Sequence, residues 1–191
     1  AGVMTGDFNT AVGYLSATSI TSGTLNTLVG GLAGDALTTG SNNVAIGYAS
    51  LSAEDTHGKN IAVGYSALKV QNAGTDAFNV AIGYEAGQAI TTGFKNIIIG
   101  SNAGNSLTTG GSNIAIGTFA LATEDTQGKS TAIGFKALED QNAGADGNNV
   151  AVGYEAGNDI STGVKNTIIG SLAGNSGSND LTTGENNIII G

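Results

Sequence analysis

The 191-residue chain has no cysteine, proline, tryptophan or arginine, and only one histidine and one methionine. Without cysteine there is neither a disulfide scaffold nor a Cys-based zinc site. Without proline a collagen helix is excluded, and no strand loses a ladder donor. Charge is scarce as well, at 11% of residues against a usual share of about 25%. The net charge of −9, with six lysines, argues against a phosphate-binding surface, so nucleic acid is not an expected partner. The longest apolar runs, such as Ile97-Ile98-Ile99, are too short to cross a bilayer, so no membrane insertion is expected. What the chain has in excess is glycine, with 32 residues.

Those glycines punctuate a repeat. One pentad recurs throughout: Asn, any residue, a small or branched apolar residue, Val or Ile, then Gly. It begins as Asn9-Thr-Ala-Val-Gly13 and Asn26-Thr-Leu-Val-Gly30, and ends as Asn187-Ile-Ile-Ile-Gly191. The eleven copies are spaced by 17, 17, 17, 19, 17, 17, 17, 19, 17 and 21 residues. Residues 43–95 also align without gaps on 113–165, with 31 of 53 positions identical. Turns of 17, 17, 19 and 17 residues thus form a 70-residue super-repeat over 26–95 and 96–165, with a partial copy at 166–191. We read 1–191 as one domain and expect it to be a fragment of a longer fibre.

A 17-residue period is too short for helix-pair repeats and suits one coil of a parallel β-solenoid. The pentad, rich in β-branched residues, is the predicted strand. A second, shorter strand is expected around Leu37 or Ile90, with glycine supplying the positive φ angles of the corners. About ten coils at ~4.8 Å give a rod of roughly 50 Å.

Alternation along the strand puts the second and fourth positions on one face and the first, third and fifth on the other. The fourth position is Val12, Val29, Ile46, Val63, Ile82, Ile99, Ile116, Ile133, Val152, Ile169 and Ile190. It is Val or Ile in every copy and is the predicted core ladder. The first position is Asn9, Asn26, Asn43, Asn60, Asn79, Asn96, Asn113, Asn149, Asn166 and Asn187, with Ser130 in one copy. Its amides are expected to stack into a structural ladder bonding the coils above and below. Because the third position is apolar too, both strand faces must be covered. The interior of the roll covers one, and further copies of the chain are expected to cover the other.

The string Asn42-Asn-Val-Ala-Ile-Gly47, followed by Tyr48-Ala-Ser50, resembles the head repeat of trimeric autotransporter adhesins. The longer period with Thr-Thr-Gly loops, as at Leu37-Thr-Thr-Gly40, more closely resembles the Asn-Thr-Ala-Ile-Gly-Tyr-x-Ala repeats of bacteriophage tail fibres. The likeness covers residues 9–191. It implies a left-handed parallel β-roll, a homotrimer, and a non-catalytic shaft or head of an extracellular fibre. That fibre is expected to be a phage tail fibre on a virion involved in host attachment, the alternative being a bacterial surface adhesin head. A host glycan or protein would then be engaged through neighbouring segments.

Chemistry is sparse. Gly128-Lys-Ser130 lacks the glycine a phosphate loop needs at position 123, which is Thr123. His57, the lone histidine, aligns with Gln127 and supports neither a triad nor a metal site. Glu54-Asp55 with Glu124-Asp125, Asp76 with Asp146, and Glu85 with Glu155 occur as matched pairs. They are expected to be solvated loop charge, with weak cation binding as the lesser reading. Tyr14, Tyr48, Tyr65, Tyr84, Phe135 and Tyr154 follow the strand glycine, and corner packing is expected of them before sugar stacking. Adjacent threonines point oppositely, which disfavours an ice-binding face. A glycan depolymerase would need a carboxylate pair on irregular insertions. No catalytic residue, metal site or cofactor is expected.

Overall fold

The computed structural model describes residues 5–175 and 181–191. Every pentad forms a strand: β1 (Thr10–Val12), β2 (Thr27–Val29), β3 (Val44–Ile46), β4 (Ile61–Val63), β5 (Val80–Ile82), β6 (Ile97–Ile99), β7 (Ile114–Ile116), β8 (Thr131–Ile133), β9 (Val150–Val152), β10 (Thr167–Ile169) and β11 (Ile188–Ile190). They lie in one parallel sheet in chain order. The register stacks like on like, so Val44, Ala45 and Ile46 pair with Ile61, Ala62 and Val63. The chain is a β-solenoid, one strand per coil, as its repeat requires.

The strands are three residues long rather than five, and among the described residues the expected second strand is absent. The segments holding Leu37 and Ile90 are turns, yet both side chains are fully buried. Coils are joined there by convergence instead of a ladder. The N–H groups of Thr38, Thr39 and Gly40 all donate to the Asp55 carbonyl one coil on. Those of Ser161, Thr162 and Gly163 likewise converge on Thr182. A turn that aims three donors at one oxygen cannot also keep the alternating geometry of a strand.

The interior belongs to the third strand position, not the fourth. Leu28, Ala45, Ala62, Ala81, Ile98, Ala115, Ala132, Ala151 and Ile168 are fully buried. The predicted ladder of Ile46, Ile82, Ile116, Ile133 and their equivalents faces outward; Ile46 is 39% and Ile82 38% exposed in the single chain. Parity gives the reason. The first-position asparagines are buried from Asn26 to Asn166, and a two-residue period forces the third position onto their face.

The opposite wall fills what the small alanines leave. It contributes Leu37, Leu51, Leu68, Ile90, Leu107, Leu121, Leu138 and Ile160, all fully buried. Burying one such side chain contributes about 1.5–3 kcal/mol. Size is compensated within each coil. Where the seventh residue after the strand glycine is Leu37 or Ile90, the fourth is Gly34 or Gly87, and a Cβ there would lie 2.8 Å from Leu37 or 2.9 Å from Ile90. Where the fourth is Leu51, Leu68, Leu121 or Leu138, the seventh is Glu54, Gln71, Glu124 or Gln141.

The strand glycines are required by space as well as by conformation. At Gly117, with φ of 135°, an added Cβ would be driven into the Gly134 carbonyl of the next coil. Glycine is nevertheless not the sole residue with positive φ. Leu51, Leu68, Leu121 and Leu138 have φ between 48° and 52°, a conformation costing a non-glycine residue roughly 1–3 kcal/mol. Their burial and cross-coil bonds, such as Leu68 N–H to Ala86 at 3.1 Å, offset it.

Candidate functional site: an outward stripe and two buried corners

The second and fourth strand positions form two parallel columns of Val, Ile and Thr on the outer face of the sheet. Between β3 and β7 both columns are wholly Val or Ile, and Ile61 and Ile97 are about as exposed as Ile46. Scattered exposed aliphatics are ordinary, but here they are contiguous from β3 to β7.

Beside it runs an aromatic column. Tyr48 stacks on Tyr65 with centroids 5.5 Å apart, Tyr65 on Tyr84 at 5.2 Å, and Phe135 on Tyr154 at 5.4 Å. The interplanar angles, 16° or less, show the rings covering one another's faces. The column therefore packs ring on ring from coil to coil while staying about half exposed, with Tyr48 at 51% and Tyr65 at 46%. The loop threonines behave similarly. Thr38 and Thr108 donate their hydroxyls to the Asp55 and Asp125 carbonyls at 2.9 and 2.8 Å, so these hydroxyls join coil to coil.

The asparagine ladder is present and directional. Each Oδ1 accepts the backbone N–H of the next pentad, as from Asn43 to Asn26 at 2.9 Å and from Asn96 to Asn79 at 2.9 Å. Most Nδ2 groups donate to a corner carbonyl fourteen residues on, as from Asn96 to Gly110 at 2.9 Å, whereas Asn60 Nδ2 turns to Glu54 and Asn166 Nδ2 reaches Gly184. Ser130 breaks the series: its N–H uses Asn113 Oδ1 at 3.0 Å, but it has no amide to pass on.

The carboxylate pairs divide in a way the sequence reading did not anticipate. Asp55 and Asp125 are partly exposed, whereas Glu54 and Glu124 are 0% exposed. These two glutamates occupy the same wall position as Leu37, Ile90, Leu107 and Ile160, so aligning that position across coils was the missed signal. In the first corner Glu54 Oε1 accepts the His57 N–H at 3.2 Å, and Asn60 Nδ2 lies 3.5 Å from Oε2. Burial pushes the Glu54 carboxyl up from 4.5 to about 7, with the negative charges of Asp55 and Asp76 adding to it. In the second corner Gln141 Nε2 donates to Glu124 Oε2 at 2.6 Å and to Ser130 Oγ at 2.9 Å. Glu124 is also raised by burial, against the lowering hydrogen bond from Gln141.

Asp76 and Asp146 are surface partners of Lys59 and Lys129, each across one coil. Glu85 and Glu155 are partly exposed, and Glu85 accepts from Asn102 at 3.2 Å. Glu54, Asp55 and His57 can bring one atom each within 4.8 Å of one another. Those atoms already serve the corner, however. Asp55 Oδ1 accepts from Thr56, and His57 Nδ1 meets the Thr56 hydroxyl at 2.9 Å. With Gln127 at the His57 position of the second corner, the trio reads as corner packing. No cleft opens among the described residues, and no helix there is long and apolar enough to cross a membrane.

No protein-family model, curated protein or solved structure matches the chain.

Proposed function

We propose that this chain is a rigid, non-catalytic segment of an extracellular fibre, a shaft or head of the phage tail-fibre kind, in which parallel copies associate along their outward stripes. The carrying observation is the double Val/Ile column on the outer face of the sheet. An eleven-strand solenoid already satisfies its interior with the third-position residues and the opposite wall. The outer aliphatics add nothing to that core and are left for another surface. A copy of the same chain fits best, since its columns have the same ~4.8 Å spacing and can interdigitate along the whole length. Three copies is the number implied by the resemblance to trimeric heads and tail fibres. A regular wall without a cleft suits a spacer or presentation rod, with receptor choice made by neighbouring segments.

Light scattering on the purified chain is expected to give three times the 18.7 kDa chain mass at micromolar concentration, and Ile82→Asp with Ile97→Asp is expected to release monomer. A monomeric wild type would overturn the assembly. Saturable binding of this chain alone to whole bacterial cells below micromolar concentration would replace the passive rod with an adhesin.

A further inference from the structure

Glu54 and Glu124 are the two buried ionisable groups that neither the core nor the outward stripe explains. They sit 70 residues apart at identical places in the super-repeat. Each lies where the preceding coil puts an aliphatic side chain, Leu37 or Leu107, and the following coil a buried glutamine, Gln71 or Gln141. Neither has a lysine partner: Lys59 is engaged with Asp76 at 2.6 Å, and Lys129 with Asp146. The groups facing Glu54 are Asp55 and His57 on its own coil, the latter with Nδ1 at 4.0 Å, and Asp76 on the next. Around Glu124 they are Asp125 and Asp146. Anions thus outnumber cations around both, and a carboxylate sealed in such a place is costly unless it takes up a proton.

We propose that Glu54 and Glu124 are proton-held latches: each corner is closed by a carboxylic acid shut inside the coil, and loosens when that acid ionises. The device needs only the solenoid and holds whether or not the chains associate. Its mechanical link is the next residue. The Asp55 carbonyl gathers the N–H groups of Thr38, Thr39 and Gly40, and the Asp125 carbonyl those of Thr108 and Thr109. A glutamate that swings out to reach water moves that carbonyl, so the turn of the preceding coil loses its anchor along with the corner.

The direction follows from linkage. A carboxyl raised in the folded state stabilises it fully below the unfolded pKa, and that contribution is lost as pH rises through the folded one. For Glu54 the window runs from 4.5 to about 7. Across it the opening equilibrium of the first corner is expected to rise on the order of 100-fold. The second corner, where Gln141 supports the carboxylate form, is expected to loosen less.

Carbon-detected NMR titration of the glutamate carboxyls tests this in the unaltered chain, together with amide exchange at Thr38, Thr39 and Gly40 corrected for its intrinsic pH dependence. The expected result is one carboxyl titrating near neutrality and falling protection of those amides from pH 5 to pH 8. Glu54→Gln with Glu124→Gln should abolish the loss of protection, and His57→Gln should leave it in place. Two glutamates titrating at ordinary values, pH-independent protection, or loss of the effect in His57→Gln would each overturn the latch.

Discussion

The two polar corners share a backbone, a buried glutamate and a glutamine one coil on, yet they are wired differently. In the second, Gln141 reaches Glu124 and Ser130 with its Nε2 and accepts from Asn149 Nδ2 at 2.8 Å. In the first, Gln71 makes only the corresponding bond to Asn79, also at 2.8 Å, and its buried Nε2 has no partner. The substitution that matters lies at the head of the strand. Asn60 keeps the first asparagine ladder continuous, passing its Oδ1 to Asn79 N–H at 3.1 Å. Ser130 interrupts the second and supplies Gln141 with a hydroxyl. One corner has spent its polar capacity along the solenoid axis and the other around the glutamate. Position in a repeat therefore fixes where a side chain lies; its neighbours one coil away fix what it bonds to.

Three substitution pairs test how far this goes. The largest effect should be equal in both corners. Gly64→Ala and Gly134→Ala each push a methyl group into the carbonyl of the next strand glycine, at φ near 140°. Each should cost about 3 kcal/mol or more, read as a lower urea midpoint, and a clear inequality would mean that the corners differ in backbone as well as in wiring. The second pair should split them. Gln141→Leu leaves the buried Glu124 and Ser130 without their shared donor, a loss of about 2 kcal/mol. Gln71→Leu removes an amide whose nitrogen is unpaired and should cost about 1 kcal/mol or less, since Asn79 Nδ2 keeps the Gly93 carbonyl at 2.7 Å. Equal losses in urea titrations of the two variants would erase the distinction.

Much of this architecture was legible in the chain. Eleven pentads at near-constant spacing specified the coils, the parallel order and the asparagine ladder, because an identical residue at an identical place must stack on itself. The ubiquity of Val and Ile at the fourth position suggests burial, yet that position faces outward. Asparagine at the first position already decided the matter: its amide needs a shielded, coil-to-coil geometry, and positions one and four cannot share a face. Glu54 and Glu124 were misplaced for a related reason. Glu-Asp in a polar loop looks solvated, and only alignment with Leu37 and Ile90 puts the first acid of each pair inside. The wiring around Ser130 and Gln141 depends on side chains from three coils, which no single repeat displays.

The smallest effect separates surface charge from buried charge. Lys59 and Lys129 bridge to Asp76 and Asp146 across one coil, but all four side chains are substantially exposed, so solvent and salt screen both pairs. Hydrogen bonding to the lysine holds Asp76 and Asp146 below the usual carboxylate value. A lowered carboxyl contributes stability above its unfolded pKa, here 3.8, and loses it as pH falls through the folded value. The ion pairs thus fail on the acid side, and the latches on the way up to neutrality. Lys59→Met and Lys129→Met should each lower the thermal midpoint by no more than about 2 °C at low salt, and less at high salt. The first should lose slightly more, because Lys59 Nζ also lies 5.1 Å from the centroid of the Phe78 ring, where the second module has Asn148. Between pH 5 and pH 8 the stability profile of the double variant should parallel that of the unaltered chain. A profile that flattened in the double variant would assign the pH response to the surface pairs and leave the two corners with no difference in charge to explain.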